Sequence, residues 1–93
     1  MPFIYEVNLD ASEPSYTLTQ HLVEPGTLVG TGQAIAMLSD GTMDFHLQAP
    51  KQGLLVAWFA ESGTQIDAHN PIARIVCEGT EEALPAVIPQ RLG

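Results

Sequence analysis

From residue 43 to residue 49 apolar and polar side chains alternate without a break. Met43, Phe45, Leu47 and Ala49 fall on one face, and Asp44, His46 and Gln48 on the other. A period of two is that of a half-buried strand. Runs of this kind, bounded by Gly, Pro, Asn and Asp, predict strands over 3–9, 16–23, 27–29, 33–38, 43–49, 53–60, 64–66 and 70–77. Gly26, Gly32, Gly41, Gly53 and Gly63 punctuate the runs at turns. No stretch of helical length carries apolar residues at i, i+3, i+4 and i+7 between sensible caps, so an all-β chain is expected.

The pattern repeats. "EPGTLVGTGQAIAML" (24–38) aligns with "ESGTQIDAHNPIARI" (61–75) at a constant offset of 37 residues. Glu24 matches Glu61, Gly26 matches Gly63, Thr27 matches Thr64 and Val29 matches Ile66; Gln33, Ile35, Ala36 and Leu38 match Asn70, Ile72, Ala73 and Ile75. Two copies are too few for a solenoid. They suit two half-domains that bury their apolar faces on each other about a pseudo-two-fold axis. Val29, Ile66, Ile35 and Ile72 are then core residues.

After Cys77 the alternation stops. Residues 78–93 include "GTEEALPAVIPQRLG" and read as an acidic flexible tail or linker, leaving 3–77 as the folded domain. At 93 residues the chain has room for one small domain, and its 45% apolar content is that of a globular protein. Eleven acidic against three basic residues give a net charge of −8, which repels nucleic acid and anionic membrane surfaces and suits a basic protein partner. The lone Cys77 forms no intrachain disulfide, and no leader-like or membrane-spanning run is seen, so a cytoplasmic protein is expected.

"LVEPGTLVGTGQAIAML" and "APKQGLLVAWFAESGTQIDAHNPIARI" together resemble the two halves of biotinyl/lipoyl domains, over roughly residues 3–77. The resemblance implies a flattened barrel-sandwich hybrid of two four-stranded antiparallel sheets. It also implies a central hairpin whose tip carries a lysine that receives biotin or lipoate. In the family that lysine lies eleven residues before the glycine of Ala-Pro-x-x-Gly. Counting back from Gly53 reaches Thr42, so the attachment triplet is here Gly41-Thr42-Met43. The amine is missing. A threonine hydroxyl is a far poorer nucleophile towards an acyl adenylate, so neither prosthetic group is expected.

The other chemistry-bearing residues have ordinary readings. Lys51, the only lysine, is a solvated turn residue in "APKQG"; Ser39 beside Asp40 lacks the following helix of a phosphopantetheine site. His21, His46 and His69 are too far apart in sequence to suggest a metal set, and Cys77 reads as a small buried hydrophobe. Tyr16, Trp58 and Phe59 lie within predicted strands, Trp58 by default in the core. No nucleophile elbow or phosphate-binding loop occurs, so no enzyme activity, cofactor or metal is expected.

The resulting expectation is a non-catalytic module that docks on a component of an acyltransferase, carboxylase or 2-oxoacid dehydrogenase-like system, as scaffold or regulator. Asp40, Gly41, Thr42, Met43, Asp44 and His46 are its candidate contact residues. The alternatives are an atypical acyl or carboxyl carrier, or the lipoyl-like domain of an export or membrane-fusion assembly.

Overall fold

The computed structural model describes residues 1–81, 84 and 86–92. Among these, nine strands form: β1 (Pro2–Val7), β2 (Tyr16–His21), β3 (Thr27–Val29), β4 (Ala34–Ser39), β5 (Asp44–Gln48), β6 (Gly53–Trp58), β7 (Gln65–Ile66), β8 (Ala73–Glu78) and β9 (Gln90–Arg91). No helix is present among them, and hence none long and apolar enough to cross a membrane. One sheet has the order β1-β8-β6-β3, the other β7-β2-β4-β5-β9. Every pairing between strands is antiparallel. The two sheets pack face to face as a flattened sandwich and do not close into a barrel.

The period of two accounts for the packing. On β4 the side chains of Ile35, Ala36 and Leu38 are buried; on β8 those of Ala73, Ile75 and Cys77 are. Val7, Leu18, Val29, Leu47, Leu55 and Ile72 fill the space between the sheets. Burying each of these aliphatic side chains contributes about 1.5–3 kcal/mol before the entropy of ordering is counted.

The repeat is a real two-fold relation, and the hydrogen bonds show it residue by residue. Thr27 N donates to Glu24 O and Thr64 N to Glu61 O, both at 3.2 Å. Gly26 N donates to Leu55 O at 2.7 Å and Gly63 N to Leu18 O at 2.7 Å. Donors and acceptors are each displaced by 37 residues, in opposite directions, as a two-fold requires. Gly26 and Gly63 have φ of 95° and 90°, the left-handed region that the third position of a type II turn demands and that glycine enters without steric cost. The β-bulges at Leu18/Gln20 and Leu55/Ala57 are related in the same way. Val29 and Ile66 are both buried, as are Ile35 and Ile72.

Three features differ from the sequence expectation. The second sheet has five strands where two four-stranded sheets were expected, because Gln90 and Arg91 pair with His46 and Phe45. Within the expected tail, Val87 is buried, bridges to Leu9 in parallel, and exchanges hydrogen bonds with Asn8 O and Asp10 N at 2.8 and 2.9 Å. Backbone donors and acceptors on β5's edge and beside Asn8 supply these contacts, so they leave no side-chain periodicity to read. Glu82, Ala83, Pro85 and Gly93 of that tail lie outside the described residues. Finally, Phe59 falls just beyond β6 and is 44% exposed, with the Arg74 guanidinium 5.2 Å from its ring centre. Its backbone N–H is already engaged by Ile72 O, as Leu22 N–H is by Ile35 O, which closes the strand at Trp58.

Candidate functional site

The β4–β5 hairpin holds every residue singled out for binding. Ser39 pairs with Asp44, leaving Asp40, Gly41, Thr42 and Met43 as the turn. Asp40 organises it. One carboxylate oxygen, Oδ1, accepts the backbone N–H groups of Thr42 and Met43, each at 2.8 Å. Asp40 N donates to Met43 O at 3.2 Å, and Ser39 Oγ accepts Gly41 N at 3.0 Å. Asp and Ser close such local bonds readily because their acceptors reach the amides two and three residues on. All four turn residues are exposed, and Thr42 stands at the tip.

The bonds from Met43 N and Thr42 N hold the Asp40 carboxyl below the usual carboxylate range, with a smaller contribution from the Arg91 charge. A depressed pKa in the folded state means that the ionised carboxylate supports the turn. Its contribution is present above the unfolded-state pKa and is lost as pH falls through the folded one. The expected result is a turn that loosens in acid ahead of the sandwich core. Chemical shifts and amide exchange at Thr42 and Met43 should report it while Leu47 and Ile75 stay native; simultaneous loss would refute a locally held turn.

Beneath the tip the hairpin is anchored to the core. Phe45 meets Tyr16 edge-to-face with ring centres 5.1 Å apart. The Tyr16 hydroxyl donates to Glu13 Oε1 at 2.7 Å, and burial together with that bond pushes its pKa up to about 12. His46 and Asp44 lie on the outward face of β5, as the alternation required, and β9 runs along the outer edge of that strand. Leu92 N donates to Asp44 O at 3.0 Å. The C-terminal segment therefore belongs to the surface around the tip, a placement with no counterpart in the pattern of side chains along the chain. Met43, expected on the inward face, is 38% exposed because it is the last residue of the turn and β5 begins only at Asp44.

The remaining candidates are scattered. Lys51 lies in the β5–β6 connection, at the opposite end of β5 from Thr42, with its Nζ 5.7 Å from the Phe3 ring centre. Among the described residues no three His, Cys, Asp or Glu side chains gather as a metal site. Cys77 is buried.

His21 and Trp58, equivalent in the repeat, stack on each other with ring centres 4.3 Å apart and planes at 27°. Trp58 Nε1 donates to Val23 O at 3.0 Å, and His21 Nε2 lies 2.8 Å from Ala60 O, which only accepts, so Nε2 carries the hydrogen. Val23 and Ala60 are again 37 residues apart. The offset that relates positions 24–38 to 61–75 would have pointed to this pair had it been extended three residues upstream.

The arrangement is that of an exposed turn displayed at the end of the sandwich, with a hydroxyl at the tip. Such a turn can present a surface. The family model described as "Biotin-requiring enzyme", that of the biotinyl/lipoyl domains, matches residues 9–75. A search of curated proteins finds no match. The match takes in both halves of the repeat and the whole hairpin, and the chain belongs to the biotinyl/lipoyl domain family.

Proposed function

We propose that this domain is a non-catalytic member of a carrier family that binds a protein partner through its hairpin and carries no prosthetic group. Domains of the family are carriers rather than catalysts and work within multienzyme complexes. What carries the reading is Thr42: the tip is built and displayed as an attachment site needs, yet it offers no amine. Lys51 is no substitute, because it sits in another turn at the far end of β5. The partner is a component of an acyltransferase, carboxylase or 2-oxoacid dehydrogenase-like system in the cytoplasm. It meets the acidic hairpin, Asp40 and Asp44 foremost, with a basic face.

Intact mass tests this. The wild-type chain, co-expressed with biotin and lipoyl ligases, is expected to keep its unmodified mass. Thr42→Lys changes an exposed turn residue, so stability should move by no more than about 0.5 kcal/mol. That variant should acquire the mass of a biotinyl or lipoyl group in a fraction of molecules. A modified wild type would overturn the reading and make this a carrier with an atypical attachment.

A further inference from the structure

The pseudo-two-fold axis sets two rows of outward-facing residues in equivalent places, and the rows have opposite chemistry. Across the five-stranded sheet, Gln65, Thr17, Ser39 and Asp44 follow one another in register on β7, β2, β4 and β5. Across the four-stranded sheet, the matching row is Leu28, Leu54, Val76 and Ile4 on β3, β6, β8 and β1. The first three positions of one row are those of the other shifted by 37 residues, and Ile4 pairs with Val76 as Asp44 does with Ser39. Within one molecule, then, one row is what a solvated sheet carries and its twin row is wholly aliphatic. Leu28 is 77% and Ile4 61% exposed. Folding does not account for the row, since the other half of the same fold does without it.

We propose that this face is the contact between two copies of the chain, packed sheet on sheet about a two-fold axis. The charges favour a second copy over a basic partner. Beside Ile4 and Val76 lies the Glu6–Arg74 ion pair, 3.0 Å long, and the groove under Leu28, Leu54 and Val76 is bordered by Lys51 and Glu78. Among the described residues these two acids and two bases balance, and two of the chain's three basic residues border the face. A positively charged partner would be drawn to the hairpin end. Two copies of net charge −8 meet with least repulsion where each is neutral. A two-fold about the centre of the row sets aliphatic side chains on aliphatic side chains. It also brings each Arg74 towards the other copy's carboxylates.

The face spans four strands, about 14 Å across, and strands of about 20 Å length. That is below the roughly 800 Å² per partner of a stable complex, so the dimer is weak and reversible. Sedimentation equilibrium on the full chain, from about 10 μM to about 1 mM, should show a dimer with Kd on the order of 100 μM. Added salt should tighten it by screening the net charge, whereas a charge-driven contact would loosen.

The triple variant Leu28→Gln, Leu54→Thr, Val76→Ser installs the residues that the molecule already carries at the equivalent positions. It should weaken the dimer at least about tenfold. Leu28→Gln alone, at the most exposed of the three, should move it in the same direction if the triple variant folds poorly. A chain monomeric at about 1 mM in high salt, a dimer indifferent to these variants, or one that loosens with salt would each overturn the proposal. Thr42→Lys should leave the dimer untouched, so the result stands apart from that of the hairpin.

Discussion

Replacing Gly53 by alanine is expected to destabilise the domain by about 3 kcal/mol or more, the upper range for forcing a side chain into packed structure. The cause is space. A Cβ at residue 53 would lie 2.5 Å from the carbonyl oxygen of Val76 and 2.7 Å from Cγ2 of Ile75, with the Val76 carbonyl carbon at 3.1 Å. Two of these three neighbours are backbone atoms of β8, which is held on one side by β1 and on the other by β6, so the strand has little room to yield. Nor is there a torsional reason, because Gly53 is not among the residues with positive φ. Gly30 is the control: a Cβ there meets nothing nearer than 3.9 Å, and Gly30→Ala should change stability by less than about 1 kcal/mol in either direction. Urea unfolding followed by the fluorescence of Trp58 would measure both. Equal midpoints for Gly53→Ala and wild type would mean that β6 and β8 do not approach as closely as the structure has them.

This glycine also shows where sequence reasoning succeeds. The motif Ala-Pro-x-x-Gly located the hairpin by counting back to Thr42, and the close approach of β8 supplies the physical reason for a glycine at its end. The alternation over 43–49 placed Leu47 and Ala49 inward and Asp44 and His46 outward, because burial on one face of a strand writes itself into every second residue. Backbone pairing leaves no such record. β9 is two exposed residues, Gln90 and Arg91, whose hydrogen bonds to β5 ask nothing of their side chains. The organising role of Asp40 was hidden for a related reason: an aspartate in a turn reads equally as a ligand for a partner or as an acceptor for its own backbone, and two amides at 2.8 Å show the second. The aliphatic row of the four-stranded sheet is not legible in the sequence, because "GLLVAW" is apolar on both faces and reads as simply buried. Only the register across strands shows Leu54 beside Val76 and Leu28 on the outside.

If the two halves are related as the hydrogen bonds indicate, truncating equivalent core residues should cost equivalent energies. Ile35→Ala and Ile72→Ala are each expected to lose about 2–5 kcal/mol, the range for deleting a buried aliphatic side chain and leaving a cavity. Both side chains are fully buried. Their carbonyls do the same work too, Ile35 O accepting from Leu22 N at 2.9 Å and Ile72 O from Phe59 N at 2.8 Å. In a domain of this size such a loss is a large share of the total, since net stabilities run to roughly 5–15 kcal/mol. Denaturant unfolding of the two variants should therefore give midpoints that fall together. The next matched pair outward provides contrast. Gln33 and Asn70 occupy equivalent exposed turns, where Gln33 Oε1 accepts from Gly30 N at 2.9 Å and Asn70 Nδ2 reaches Asp67 Oδ1 at 3.4 Å. Alanine at either should cost about 1 kcal/mol at most, because water replaces a lost surface hydrogen bond. A large loss at Ile35 with little at Ile72 would mean that only one half of the repeat is packed as drawn, and the two-fold relation on which the comparison of the two sheet faces rests would fail with it.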